Sequence, residues 1–148
     1  MTENYLVNRI IHILLVEDSE SDARLIKEFL EEANVNHVLY VVEDGVEALK
    51  FVHTHCKPAT NYCPDFIILD LNLPKISGIE VLKEIKNNEC LKKIPVLVLT
   101  TSTATEDIND CYCNYANCYL VKPSDLNNFE TMINSIKEFW FNTTNLPK

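Results

Sequence analysis

With 148 residues, 47% of them apolar, the chain has the length and core-forming content of one folded domain, which excludes an intrinsically disordered polypeptide. A formal charge of −9, with no run of Lys or Arg, argues against nucleic acid or an anionic membrane as a direct partner and favours a cation or a basic surface. No segment approaches the roughly 18 apolar residues of a membrane span, and the N-terminus lacks a basic region followed by an apolar stretch.

Taken in chain order, five short apolar runs alternate with helix-like segments. The runs are Ile11–Val16, Val38–Val42, Phe66–Leu69, Ile94–Leu99 and Cys118–Val121. Continuous β-rich runs of this length suit strands buried on both faces. Each of the first four is followed by a helix-start pattern with an acid three residues on: Ser19-x-x-Asp22, Asp44-x-x-Glu47, Ser77-x-x-Glu80 and Thr103-x-x-Glu106. Ser124 or Asp125 can cap the last helix. Ile26, Phe29, Leu30 and Ala33 recur at helical spacing, as do Ile108, Cys111, Tyr112 and Tyr115, so each set is expected to cover a sheet. The pattern predicts an α/β fold of the (βα)₅ type, a parallel five-stranded sheet between two helical layers. The whole chain, 1–148, reads as a single domain with its core at about 11–141.

Two stretches stand apart. His53–Pro64 is polar and longer than most connections. Phe139-Trp140-Phe141 places three aromatics across about 200° of helical arc, so they cannot all face one core, and they suggest a dimer or partner surface. The six cysteines, Cys56, Cys63, Cys90, Cys111, Cys113 and Cys118, are expected as free thiols in a reducing cytoplasm. They include no CxxC pair, and Cys111 and Cys113 would point to different helical faces, so a cysteine metal site is not expected. His12, His37, His53 and His55 show no ligand spacing. Asn142-Thr143-Thr144 matches a glycosylation acceptor, which has no meaning in a cytosolic chain.

In an open parallel α/β sheet, ligands bind outside the carboxyl ends of the strands. Glu17 and Asp18 follow the first strand, the Glu43-Asp44-Gly45 turn the second, Asp70 the third, Thr100 the fourth and Lys122 the fifth. Carboxylates a few ångströms apart repel in a partly desolvated cleft, and a divalent cation relieves that repulsion. Every candidate ligand is an oxygen, which suits Mg²⁺: Asp18 and Asp70 can supply carboxylates, and the backbone carbonyl of Asn72 another oxygen. A carboxylate can also be a nucleophile and form an acyl phosphate. Lys122 and the metal would then neutralise the transferred oxygens, and the Thr100 hydroxyl would hydrogen-bond one of them.

The motifs Leu14-Leu15-Val16-Glu17-Asp18, Ile67-Ile68-Leu69-Asp70-Leu71-Asn72-Leu73-Pro74 with Ser77-Gly78, Val98-Leu99-Thr100 and Tyr119-Leu120-Val121-Lys122-Pro123 together resemble the receiver domain of two-component response regulators, over about Ile11 to Phe141. The resemblance implies a flavodoxin-like sheet of order 2-1-3-4-5. It implies that Asp70 is the phosphoacceptor, with Mg²⁺ on Asp18, Asp70 and the Asn72 carbonyl, and Glu17 acting through water. Thr100 would move toward the phosphoryl group, Tyr119 would be an aromatic rotamer switch, Lys122 would bind a phosphoryl oxygen, and the Lys122–Pro123 bond would be cis. The long loop before the third strand, Leu99-Thr100-Thr101-Ser102 and the aromatic ending are similar to the small regulators that accompany bacterial and cyanobacterial phytochromes. That narrower likeness implies a phytochrome-type sensor histidine kinase as partner, and pairing of two copies through the C-terminal face. Thr101 departs from the Ala or Gly that many receivers carry there, which should narrow access to the acceptor.

After the receiver too few residues remain for an output domain, so output is expected through a downstream protein or onward phosphotransfer. A haloacid-dehalogenase-like hydrolase would need an acid two residues after its nucleophile, where this chain has Asn72. A flavodoxin-like cofactor site would need hydroxyls or glycines where Glu17 and Asp18 would repel a phosphate. A degenerate, scaffold-only receiver does not fit an intact acceptor set. The expectation is a phosphoryl-accepting switch and not a turnover enzyme.

Overall fold

The computed structural model describes residues 9–32, 36–57 and 62–147. Five strands, β1 (Ile11–Val16), β2 (His37–Val42), β3 (Phe66–Leu69), β4 (Val96–Thr100) and β5 (Cys118–Val121), alternate with α1 (Glu20–Glu31), α2 (Gly45–His55), α3 (Gly78–Lys86), α4 (Thr105–Cys113) and α5 (Leu126–Ile136). All pairings are parallel, in the order β2-β1-β3-β4-β5. The α/β sandwich is the one the alternating pattern predicts, and its flavodoxin-like strand order is the one the family resemblance implies. The switch in strand direction of travel, between β1 and β3, opens the crevice where such sheets hold ligands.

The sheet is covered on both faces. Ile26, Phe29 and Leu30 of α1 and Phe129, Ile133 and Ile136 of α5 pack on one side against Ile13, Leu15, Phe66 and Leu97. Residues of α2, α3 and α4, among them Val52, Leu82 and Cys111, cover Leu14, Ile67, Leu69 and Val98 on the other. β1, β3 and β4 are almost wholly buried, whereas the edge strands β2 and β5 are half-buried. A continuous apolar run therefore marked both kinds of strand alike. Among the described residues no helix is long and apolar enough to cross a membrane.

Several local expectations are corrected. β4 begins at Val96, not Ile94: Pro95 has no N–H for a ladder, and Ile94 instead closes a turn by donating to the Leu91 carbonyl. Thr103 does not cap α4. Ala104 holds that position without a side-chain bond, and Ser102 Oγ accepts the Ala104 N–H while donating to Asp107 at 2.5 Å. The helical stripe Ile108, Cys111, Tyr112, Tyr115 buries Cys111 alone, because α4 stops at Cys113 and Tyr115 turns into the left-handed region at φ 67°. The Ala116 and Tyr115 N–H groups donate to the Cys111 and Tyr112 carbonyls, closing a Schellman turn around a residue that is not glycine. Ala33, the end of the α1 stripe, lies outside the described residues.

Cys56 and Cys63 are not free thiols. Their Cα atoms stand 4.5 Å apart, close enough to pair, and they form a disulfide across part of the polar His53–Pro64 stretch, whose first three residues belong to α2. Cys90 and Cys113 are exposed, and burial beside Asp107 and Asp110 pushes the Cys111 thiol up to about 11. The Lys122–Pro123 bond is trans, the form that an X–Pro bond prefers by about 0.5–1 kcal/mol. After α5 the chain widens into a π-helical turn, Lys137–Thr143, in which Phe141 is buried edge-to-face on Phe66, Trp140 is half-buried against Phe66, and Phe139 stands 55% exposed. The three rings do divide between core and surface.

Candidate functional site

The end of each central strand delivers one polar group to the same rim, and local structure fixes it there. Glu17 follows β1, held by its N–H donating to the Val42 carbonyl, and Asp70 follows β3, held by its N–H donating to Val16. Both are almost fully buried, at 2% and 5% exposure, a rare state for acids without a reason. Exposed Asp18 completes a triad: one oxygen each from Glu17, Asp18 and Asp70 lies within 4.8 Å of the others.

Lys122, at the end of β5, reaches into this cluster with its side chain 6% exposed. Its Nζ donates to Glu17 Oε2 at 2.7 Å, Asp22 Oδ2 at 2.9 Å and Asp70 Oδ2 at 3.0 Å, so all three ammonium protons have a carboxylate. Burial alone would lower its pKa, but the three carboxylates outweigh burial and hold the ammonium charged. Burial pushes Glu17 up to about 7, against the pull of Lys122, with the neighbouring Asp70 charge adding to the rise.

The turn after β3 shapes the other side. The Asn72 N–H donates to Asp70 Oδ1 at 3.1 Å, and the Gly78 N–H to the Leu71 carbonyl at 2.9 Å. The chain has two glycines, and both admit this turn. A Cβ on Gly78 would sit 2.2 Å from the Asp70 carbonyl oxygen, and one on Gly45 would sit 2.3 Å from that of Ile76. Lys75, at φ 67°, spans back to Asp44 at 3.1 Å, while Asp44 Oδ1 caps α2 through the Glu47 N–H.

Thr100 ends β4 on the same rim, fully buried, its own carbonyl accepting the Lys122 N–H at 2.7 Å. Tyr119 is half-buried on β5, and its hydroxyl donates to the Ser102 carbonyl at 3.0 Å, which ties the ring to the loop that follows Thr100.

The structure brings Glu17, Asp18, Asp70 and Lys122 together, sets Thr100 and Asn72 beside them through backbone bonds to Lys122 and Asp70, and joins Tyr119 to the Ser102 carbonyl and not to the cluster. Glu17 touches Lys122 itself. Asp22 is the residue that sequence reasoning missed. It was read as the acid of a capping box, whose task is to accept the N-cap N–H. In the structure Glu17 Oε1 accepts the Ser19 N–H at 3.1 Å, and the Asp22 carboxylate turns to Lys122. The competing claim of Glu17 on that N–H was the available signal.

The response regulator receiver domain matches residues 13–134. The chain belongs to that family. Response regulator Rcp1 of Synechocystis sp. is 44% identical to it over 135 residues, 91% of this chain and 92% of that protein. A solved structure of the Mn²⁺-bound form of Rcp1 superposes with a TM-score of 0.86 at 43% identity, covering 93% of this chain and 99% of that one. That of the phosphorylated cyanobacterial phytochrome response regulator RcpA gives 0.89, also at 43% identity, over 95% of this chain and all of the other. This receiver is therefore homologous to the phytochrome response regulators, within a family of regulators.

Proposed function

We propose that the receiver takes a phosphoryl group onto Asp70 from the phosphohistidine of a sensor kinase, and that Mg²⁺ is required. The observation that carries the proposal is the buried contact of Asp70 with Lys122 beside two further acids, a cluster whose negative charge exceeds its positive charge. Hard oxygen donors at this spacing fit Mg²⁺, with Asp18, Asp70 and the Asn72 carbonyl as ligands and Glu17 acting through a water. The ion would offset charge on the transferred oxygens.

An Asp70 carboxylate oxygen attacks phosphorus, the P–N bond to the kinase imidazole breaks as the O–P bond forms, and the ring leaves as neutral imidazole, keeping the proton already on its other nitrogen. The attacking carboxylate oxygen carries no proton to be removed, so the step needs no base. Lys122 hydrogen-bonds a phosphoryl oxygen. Thr100 moves its hydroxyl toward another, dragging the loop to which Tyr119 is bonded, so that the ring changes rotamer and the surface beside β5 changes shape. The protein acts as a stoichiometric acceptor within one domain, with its core at about residues 11–141, and not as a turnover enzyme. We place it in the cytoplasm, with a phytochrome-type kinase upstream and a downstream protein or phosphotransfer partner. The exposed Phe139 beside Trp140 supports pairing of two copies through the C-terminal face.

Incubation with Mg²⁺ and acetyl phosphate tests the reading. One base-labile phosphoryl group per chain is expected, lost with chelator and in Asp70→Asn. Labelling that survives Asp70→Asn, or catalytic release of phosphate from many esters, would refute it.

A further inference from the structure

We propose that Asp22 is a positioning residue for the phosphoryl transfer: it holds the Lys122 ammonium on α1 while the two other partners of that ammonium change state. The inference rests on the reading of Asp70 as acceptor and adds a residue to it.

The geometry separates Asp22 from the other two acids that touch Lys122. Glu17 and Asp70 belong to the triad whose oxygens lie within 4.8 Å of one another, and Asp22 does not. A cation in that triad draws on the charge of Glu17 and Asp70, and phosphorylation converts the Asp70 carboxylate to an acyl phosphate. Both events weaken two of the three bonds that orient Lys122 in the resting state. Asp22, whose side chain is 30% exposed while that of Lys122 is 6% exposed, is neither a member of the triad nor the acceptor, so its bond to Nζ is not drawn on by either event. It lies at 2.9 Å from Nζ and is itself anchored, because its backbone N–H donates to the N-cap oxygen of Ser19.

The freedom of Asp22 to do this is built in locally. An acid three residues after an N-cap Ser ordinarily accepts the N-cap N–H. Here Glu17 supplies that acceptor, so α1 loses nothing when Asp22 turns inward. A lysine with four rotatable carbons and no fixed partner would spend much of its time away from one phosphoryl oxygen. A charged tether 100 residues away in sequence restricts it to an arc that includes Asp70.

The test compares Asp22→Asn with the unmodified protein at saturating Mg²⁺, using acetyl phosphate as donor. The labelling rate is expected to fall roughly tenfold, the scale of one charge-assisted hydrogen bond, and Asp22→Glu should recover most of it. In a Lys122→Met background the same Asp22→Asn change should have no effect on rate. A metal-free readout is the ¹⁵N resonance of the Lys122 ammonium, sharp in the unmodified protein and broadened by exchange with water in Asp22→Asn. An unchanged rate, or equal slowing with and without Lys122, would overturn the proposal, the latter by showing that Asp22 acts only through bulk charge. Failure of the acceptor reading is distinct: it appears as labelling that survives Asp70→Asn, whatever Asp22 does.

Discussion

At the rim where the strands begin, the half-buried charges of Arg9, Asp65 and Lys86 are closed by partners of their own. Arg9 pairs with Asp65 and also donates to the Leu146 and Pro147 carbonyls, and Asp65 in turn accepts the His12 N–H. Lys86 donates to the Lys92 and Ile94 carbonyls and to Asn117 Oδ1, which also accepts the Val96 N–H. At the rim where the strands end, Glu17, Asp22 and Asp70 contact the ammonium of Lys122 and Asp18 lies beside Glu17 and Asp70, so four acids and one ammonium leave a formal excess of three negative charges. Both rims are built from strand ends and loops of the same sheet. The first is at rest and pins the termini of the elements, and the second holds unrelieved repulsion that a cation would discharge.

The largest expected effect comes from crowding the charged rim. Gly78→Ala places a methyl 2.2 Å from the Asp70 carbonyl oxygen, against backbone that cannot yield without moving Asp70. Loss of at least about 3 kcal/mol is expected in denaturant unfolding, with phosphoryl labelling lost as well. A variant that folds and labels normally would show that the turn is softer than its packing indicates.

Next in size is a pH dependence confined to that rim. In the folded state burial disfavours the Glu17 charge and pushes the group up to about 7 from its ordinary value near 4.5. The folded chain therefore holds the proton more tightly, and Glu17 contributes stability below about pH 4.5 that is lost as pH rises toward 7. The decline should amount to about 2 kcal/mol with a chelator present, after allowance for coupling to Lys122. Glu17→Gln should flatten this part of the stability curve. Asp65→Asn, at the balanced rim, should lower stability without removing the slope. If both variants keep the slope, the strain lies elsewhere.

How much of this was legible in the sequence follows from what each feature depends on. The five strands and the rim positions of Glu17, Asp70, Thr100 and Lys122 depend on hydrophobic periodicity and on where each run stops, and both are visible residue by residue, whereas strand order is carried by the family resemblance and not by any run of residues. Asp22 was hidden because the same Ser-x-x-Asp spelling serves a capping box and a side chain that turns away, and the choice is made by Glu17, an acid brought to the helix start by the strand before it. The Cys56–Cys63 pair was hidden for a similar reason. Its formation depends on the path by which the chain returns from α2 to β3, and the cysteine count and assumed compartment spoke against it. Thr103 failed as a cap because Ser102, one residue earlier, engaged Asp107 first. For Asp22 and Thr103 the residue types were right and a competing neighbour decided the geometry.

The smallest effect tests the separation of the rims directly. Tyr115 turns the chain from α4 toward β5, at the balanced end, with φ 67° and its side chain 73% exposed. A left-handed conformation costs an L-residue with a Cβ roughly 1–2 kcal/mol, and glycine adopts it freely at the price of greater freedom when unfolded. Tyr115→Gly should therefore stabilise the chain by about 0.5–1 kcal/mol, a shift in thermal midpoint of a few degrees. The turn bonds from Tyr115 and Ala116 use backbone atoms that glycine retains, so nothing in the fold opposes the gain. The labelling rate with acetyl phosphate and Mg²⁺ should stay the same, because this turn touches neither Asp70 nor Lys122. A stabilised variant with altered labelling would mean that α4 carries changes from one rim to the other. In that event the helix without a side-chain cap, bordered by the loop that Tyr119 grips, would be a moving part of the switch.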